Sequence, residues 1–135
     1  MKADSTGAPD RATAFTTNND AAILAAWDRR NLAYAAYQKL AKESGDGDYT
    51  PSEQAQWDII DMAELLIRSV VAKTPRGVEI QIWCALHHEL TDSEQVKASR
   101  CGDLDWFREH DDEMDWCHKL LLTAIYSLRA MGGAA

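Results

Sequence analysis

The chain has 135 residues, 46% of them apolar and 27% charged, which is enough for one hydrophobic core and too few for two full domains. Fourteen Lys and Arg residues against 22 Asp and Glu residues give a net charge of −8, which argues against direct nucleic-acid binding, because such binding needs many cationic contacts to phosphate. No apolar run approaches the roughly 18 residues of a membrane span, so we expect no membrane association.

The cysteines Cys84, Cys101 and Cys117 are odd in number, lie far apart and form no CxxC pair. This pattern argues against a secreted disulfide framework and against a zinc knuckle. It fits a reducing compartment, and we predict a cytoplasmic location.

Residues 1–19 are rich in Ala, Thr, Ser and Asn, with Phe15 as the one large apolar side chain after Met1. We predict a disordered tail here. Residues 20–131 are predicted to form a single domain. Glycine and proline cluster there at three interruptions, and the long stretches between them carry no helix breaker.

The first helix is predicted over residues 20–43. Residues 18–20 (Asn-Asn-Asp) offer N-cap side chains, and Ser44-Gly45 is typical of a helix end. At about 100° per residue five apolar and aromatic residues share one stripe, which predicts an amphipathic helix. These residues are Ile23, Trp27, Tyr34, Tyr37 and Ala41.

The second helix is predicted to begin with a capping box, in which Thr50 caps, Pro51 takes the first helical position and Glu53 reaches back. Its end is expected near Lys73. One apolar arc follows the whole segment and consists of Ile59, Ile60, Ala63, Leu66, Ile67, Val70 and Val71.

Residues 78–90 keep helical spacing, although their first five residues also alternate as a strand would. We predict a helix, because no second strand exists for this segment to pair with. Residues 91–94 (Thr-Asp-Ser-Glu) then indicate a cap for a short helix that reaches Ser99.

The last segment, residues 103–131, is predicted to be one long helix with a heptad seam that contains two polar members. The fold class is therefore all-α: a single bundle of four main helices with a short fifth helix between the third and fourth. The seam consists of Leu104, Phe107, Asp111, Met114, His118, Leu121, Ile125 and Leu128.

One succession of residues runs from Leu24, Trp27 and Arg30 in the first helix through Asp61, Glu64 and Ile67 in the second to residues 74–77 (Thr-Pro-Arg-Gly). This succession, over positions 20–90, resembles that of small helical proteins from alphaproteobacterial chromosomes and prophages. The resemblance implies a short helical bundle and a mobile-element origin. It brings no chemistry and no catalytic residues. The C-terminal third, rich in Cys, His and acids, departs from the pattern.

Arg30 lies between Trp27 and Tyr34 on the aromatic face of the first helix, where a charge is costly unless it is paired. We predict a structural polar cluster, in which Arg30 bridges to Asp61 or Glu64 and stacks on Trp27. The alternative is that Arg30 contacts an anion or another ligand.

Several groups are able to bind metal, yet none matches a complete site. His87, His88, His110 and His118 with Cys84, Cys117 and Asp115 supply ligand atoms, but a di-iron bundle needs Glu-x-x-His on two helices and only Asp115-x-x-His118 occurs. Asp61-x-x-Glu64 and Glu109-x-x-Asp112 resemble the paired acids of all-helical nucleotide pyrophosphohydrolases. We predict no metal and no cofactor; the alternative is a metal-dependent helical enzyme that uses these acids or the histidines.

Residues 103–115 hold seven acids and one base, and so carry −6 of the total −8. The dipole of a single helix start accounts for acids in its first turn only. We predict a non-enzymatic interaction protein, prophage-borne, that binds a basic protein surface and mimics the charge of nucleic acid. The alternative is a solvated helix start, and homo-oligomerisation stays open. The predicted binding residues are Asp105, Trp106, Glu109, Asp112, Glu113 and Trp116.

Overall fold

The computed structural model describes residues 20–45 and 47–132, and within these ranges the chain is all-α, as predicted, with no β-strand. The predicted tail, residues 1–19, lies outside the described residues. None of the described helices is both long and apolar enough to cross a membrane. The helices are α1 (Ala21–Ser44), α2 (Pro51–Ser69), α3 (Pro75–Glu89), α4 (Ser93–Cys101), α5 (Leu104–Glu109) and α6 (Trp116–Gly132), with a 3₁₀ turn (Asp111–Glu113) between α5 and α6.

The predicted capping box starts α2. The Thr50 hydroxyl accepts a hydrogen bond from the Glu53 amide at 3.1 Å, and the Glu53 carboxylate accepts one from the Thr50 amide at 2.8 Å. Similar chemistry starts α3, where the Thr74 hydroxyl accepts from the Gly77 amide at 3.1 Å and proline follows Thr74. The helix predicted over residues 78–90 in preference to a strand is confirmed.

Asp20 stands at the N-cap position of α1, yet its side chain serves a different part of the chain. The carboxylate accepts hydrogen bonds from the amides of Lys73 and Thr74, both at 2.8 Å, and from the Thr74 hydroxyl. A Cβ on Gly77 would lie 2.7 Å from the Asp20 Cγ, so this close approach requires glycine. Asp20 thereby fixes the start of α1 to the start of α3.

The second helix ends at Ser69, four residues before the predicted end at Lys73. Val70 is extended, and the next amides at Lys73 and Thr74 donate to Asp20 and do not continue the helix. The apolar arc continues through Val70 and Val71, which explains why the sequence pattern overestimates the length of α2.

The prediction of one helix over residues 103–131 is wrong. The chain leaves helical geometry after Glu109 and α6 begins only at Trp116. In a continuous helix Glu109 would lie one turn from Asp112 and Glu113, and such like-charge neighbours destabilise a helix. Asp115 accepts a hydrogen bond from the His118 amide at 3.0 Å and so caps the new helix.

The heptad seam is therefore interrupted, although its apolar members still face inward. Leu104, Phe107, Met114 and Ile125 are buried, whereas Asp111 is exposed. Within the described chain, α1 packs mainly along α2 and α3 mainly along α6. The main core contains Ile23, Ala26, Trp27, Ala63, Ile67, Ile80, Trp83, Leu86, Leu90, Ala98, Leu104, Phe107, Met114, Leu122 and Ile125.

One buried carboxylate joins α3 to α6. Glu79 accepts hydrogen bonds from Trp83 Nε1 at 2.9 Å, from Arg76 Nη1 at 3.0 Å and from Arg129 Nη2 at 2.9 Å. Burial raises the pKa of Glu79, but the bonds from Arg129 and Trp83 outweigh it and hold the pKa below its ordinary value. Glu79 is therefore ionised and paired at neutral pH.

We expect Glu79→Gln to lower the free energy of unfolding by about 1–3 kcal/mol, because an amide loses the charge-assisted bonds from Arg76 and Arg129. Glu89→Gln is the matched control, since Glu89 is an exposed glutamate on the same helix. Urea unfolding at pH 7 measures both variants. Equal stabilities would contradict the role of Glu79 in holding α6.

Candidate functional site

Arg30 is fully buried and forms the centre of a polar cluster on α1. Its Nε donates to Glu64 Oε2 at 2.7 Å, and its Nη1 donates to Asn31 Oδ1 at 3.0 Å and to the Arg100 carbonyl at 3.2 Å. Of the two predicted carboxylate partners Glu64 makes the bridge, whereas Asp61 is exposed. The guanidinium carbon lies 5.1 Å from the centre of the Trp27 ring.

Two guanidinium groups and one imidazole lie against the buried ring of Tyr34. The guanidinium carbons of Arg30 and Arg100 lie 4.8 and 4.6 Å from its centre, and the His87 ring centre lies 5.2 Å away. Burial, with a smaller contribution from Glu64, raises the pKa of Tyr34 to about 12. Tyr34 is therefore a neutral aromatic wall between two cations.

The same neighbourhood holds buried nitrogen atoms with no hydrogen-bond partner among the described residues. They are Arg30 Nη2, Arg100 Nε and His87 Nδ1, together with Trp57 Nε1 on the other ring that contacts Tyr34. Buried polar atoms are nearly always paired, so a concentration of unpaired ones around a single residue is unusual. These unpaired nitrogen atoms make the surroundings of Tyr34 a candidate ligand-binding region.

His87 is uncharged at neutral pH. Burial, and next the positive charge of Arg30, lower its pKa from 6.5 to about 4. Its ring also contacts that of His88, with the two centres 5.3 Å apart. His87 therefore adds an uncharged aromatic ring with an unpaired buried nitrogen, Nδ1, to the cluster at neutral pH.

Glu64, His87 and His88 make up the one group in the described part of the chain whose ligand atoms could hold a metal ion, with all three atoms within 4.8 Å of one another. His88 Nε2 lies 2.9 Å from Glu64 Oε1. Burial raises the pKa of Glu64, but the hydrogen bonds from Arg30 and His88 outweigh it and lower the pKa overall. The two Glu64 oxygens thus have different partners.

Glu64 also borders a cleft of about 760 Å³ between α2 and α3. The cleft mixes apolar and polar side chains, and burial raises the pKa of its Cys84 thiol to about 11, so this thiol is protonated at neutral pH. The lining residues are Asp61, Glu64, Leu65, Ile67, Arg68, Gln81, Cys84, Ala85 and His88.

The other candidate metal ligands do not come together in the described chain. His110 Nδ1 lies 2.7 Å from the Trp106 carbonyl, and His118 Nδ1 lies 3.3 Å from Asp115 Oδ2. Glu109 and Asp112 do not belong to the group that Glu64 forms with His87 and His88 in the described chain.

The acids of residues 103–115 lie near the starts of two helices, α5 and α6, whereas the sequence predicted a single helix start. Asp103 accepts a hydrogen bond from the Trp106 amide at 3.1 Å at the start of α5, and Asp115 caps α6. Asp105 pairs with Arg108 at 3.4 Å, and Asp111 pairs with Lys119 at 3.6 Å. The remaining acids are exposed and form no salt bridge with a described residue; they are Glu109, Asp112 and Glu113.

The two tryptophans of the predicted binding surface differ in exposure. Trp106 is half-buried against the core and stacks on His110, with ring centres 4.0 Å apart. Trp116 is 75% exposed at the first position of α6. Trp116 is therefore the aromatic side chain available to a partner, and Trp106 lies at the edge of this region.

A basic groove of about 690 Å³, which was not predicted from the sequence, lies between α1 and α4. Its cations are Lys39, Lys42, Lys97 and Arg100, and no described Asp or Glu lines it. The sequence contains a sign of this groove. Lys39 and Lys42 are three residues apart, as are Lys97 and Arg100, so each pair lies on one helical face. What the sequence could not show is that α1 and α4 bring the two pairs together.

Comparison of the chain with protein-family models, with curated proteins and with solved structures gives no match in any of the three. The resemblance of residues 20–90 to small prophage-associated helical proteins therefore stays a prediction.

We expect Arg30→Ala to lower the free energy of unfolding by roughly 3 kcal/mol, because it leaves the Glu64 carboxylate without its main partner. Arg29→Ala is the matched control, since Arg29 is the adjacent exposed arginine on α1. Thermal or urea unfolding compares them at pH 7. If Arg30→Ala unfolds together with the parent, Arg30 does not hold this cluster.

His87 should make stability depend on pH. Between about pH 6.5 and 4 the unfolded chain binds a proton at His87 and the folded chain does not. The free energy of unfolding should therefore fall as pH falls through this window, by at most about 1.4 kcal/mol per unit. His87→Gln should flatten the slope between pH 6.5 and 5.

Urea unfolding at three pH values measures this slope for the parent and for His87→Gln. Ile67→Val, a buried change without a titrating group, controls for the general effect of lower stability. Parallel profiles for the parent and His87→Gln would exclude His87 as the source.

Proposed function

We propose that this protein is a non-enzymatic interaction protein that binds a partner with a basic surface. The contact is an acidic surface formed by the exposed residues Asp105, Glu109, Asp112, Glu113 and Trp116, with Trp106 at its edge. Trp116 carries the proposal, because its indole is 75% exposed and follows the acids Asp112 and Glu113 closely in the chain, and tryptophan is enriched among interface anchors.

Charge distribution supports the choice of partner. Glu109 ends α5, and Asp112 and Glu113 lie in the 3₁₀ turn that follows it; all three are exposed and form no salt bridge with described residues. Such a surface speeds encounter with a cationic partner, and ordinary salt screens the attraction over about 10 Å. A basic partner that binds nucleic acid would meet carboxylates in place of phosphates, so the protein would compete with nucleic acid. A mobile-element origin, implied by the resemblance, belongs to the same proposal.

The test replaces Asp105, Glu109, Asp112 and Glu113 by Asn or Gln, which removes four charges from the acidic surface. A decalysine peptide is the basic probe, and surface plasmon resonance with the immobilised peptide measures the association of the parent and of every variant. We expect the variant to stay folded, to associate several-fold more slowly at low salt and to depend less on salt than the parent.

The matched control removes four charges elsewhere, at the exposed acids Asp28, Glu43, Asp58 and Glu89. Both variants have the same net charge, so only the position of the charges differs. Equal association rates for the two variants would contradict a localised docking surface. Trp116→Ala should weaken binding without altering its salt dependence, because it removes an apolar contact and no charge.

A metal-dependent helical enzyme is the second candidate, and the grouping of Glu64, His87 and His88 favours it. Two imidazoles and one carboxylate with an open position are a known ligand set for catalytic zinc. The neighbouring guanidinium of Arg30 opposes a cation at this place. Metal analysis of the purified protein separates the candidates: stoichiometric metal that is lost in His88→Ala supports the enzyme, and absence of bound metal supports the interaction protein.

A further inference from the structure

The cations of this acidic protein are not spread evenly over its surface. The basic groove between α1 and α4 collects Lys39, Lys42, Lys97 and Arg100, with Tyr37 in the same wall. None of the four cations forms a salt bridge with a described residue, and neither do Glu43 and Glu94, the nearest acids along the two helices. In a chain of net charge −8, four cations kept together and unpaired need an explanation.

The groove also contains a cation with a fixed position. The guanidinium carbon of Arg100 lies 4.6 Å from the centre of the buried Tyr34 ring, and Arg30 donates to the Arg100 carbonyl at 3.2 Å. Arg100 Nε is buried and has no acceptor among the described residues, and the fully buried Arg30 beside it likewise has an unused donor, Nη2. A planar fork held by an aromatic ring is preorganised for an anion.

We propose that the basic groove binds a small phosphate-bearing molecule, with Arg100 as the positioned fork and Lys39, Lys42 and Lys97 as surrounding point charges. Four cations match a group that carries several negative charges better than a single carboxylate. The groove has a volume typical of small-ligand sites. A nucleic-acid strand would extend beyond the groove and meet the net negative field of the chain, so a small ligand is favoured.

Pyrophosphate is the probe, and isothermal titration calorimetry at low salt measures its binding to the full chain. The variant Lys39→Gln/Lys97→Gln removes one cation from each wall, and both side chains are exposed, so folding should be unaffected. We expect a roughly tenfold loss of affinity. Arg29→Gln/Lys73→Gln removes the same charge from exposed positions outside the groove and should bind as the parent does.

Three results would overturn the proposal. The first is a parent that does not bind pyrophosphate, and the second is an equal affinity of the groove variant and the control variant. The third is tight, groove-dependent binding of a 20-nucleotide single strand when pyrophosphate binds weakly, which would make the groove a nucleic-acid site. Arg100→Lys adds a test of geometry: it retains the charge and loses the fork, so its affinity should fall although the net charge is unchanged.

Discussion

The buried charge of Arg30 is the constraint on which this side of the bundle depends. A guanidinium removed from water is stable only with acceptors around it, and they come from three helices: Asn31 on α1 itself, Glu64 on α2 and the Arg100 carbonyl on α4. Glu64 extends the network to His88 on α3. A single side chain thus fixes how four helices meet, and the shift in the pKa of His87 follows partly from the same charge.

Local chemistry decides how far each helix could be predicted. The start of α2 was predictable because Thr50 and Glu53 satisfy each other without help from the rest of the fold. Its end was not, since the amides beyond Ser69 donate to Asp20, which is distant in sequence. The break before α6 has a local cause, because acids three and four apart repel, but the strong heptad pattern of the apolar residues concealed it.

The candidate sites likewise have some features that the local sequence predicts and others that only the packing of the helices determines. A cation on an aromatic stripe requires an acid nearby, so the Arg30 bridge could be predicted as far as a choice between Asp61 and Glu64. Choosing between them requires the packing of α2 on α1, which buries part of Glu64 and leaves Asp61 exposed. His87 and Arg100 approach Tyr34 from two further helices, and no local pattern places them there.

The net charge of a protein determines the electrostatic field at a distance, but it does not determine the local potential inside a groove. Salt at 0.1 M screens a charge beyond about 10 Å. A small anion in the groove would therefore interact mainly with nearby cations such as Lys39 and Arg100, and little with acids elsewhere on the chain. A nucleic-acid strand would extend over much of the surface and be repelled by the net charge of −8, whereas a small ligand would interact only with the groove. The same limit would let the proposed acidic surface attract a basic partner without cancelling the field of the groove. Segregation of charge is therefore compatible with the two proposed binding surfaces of opposite sign on one small chain.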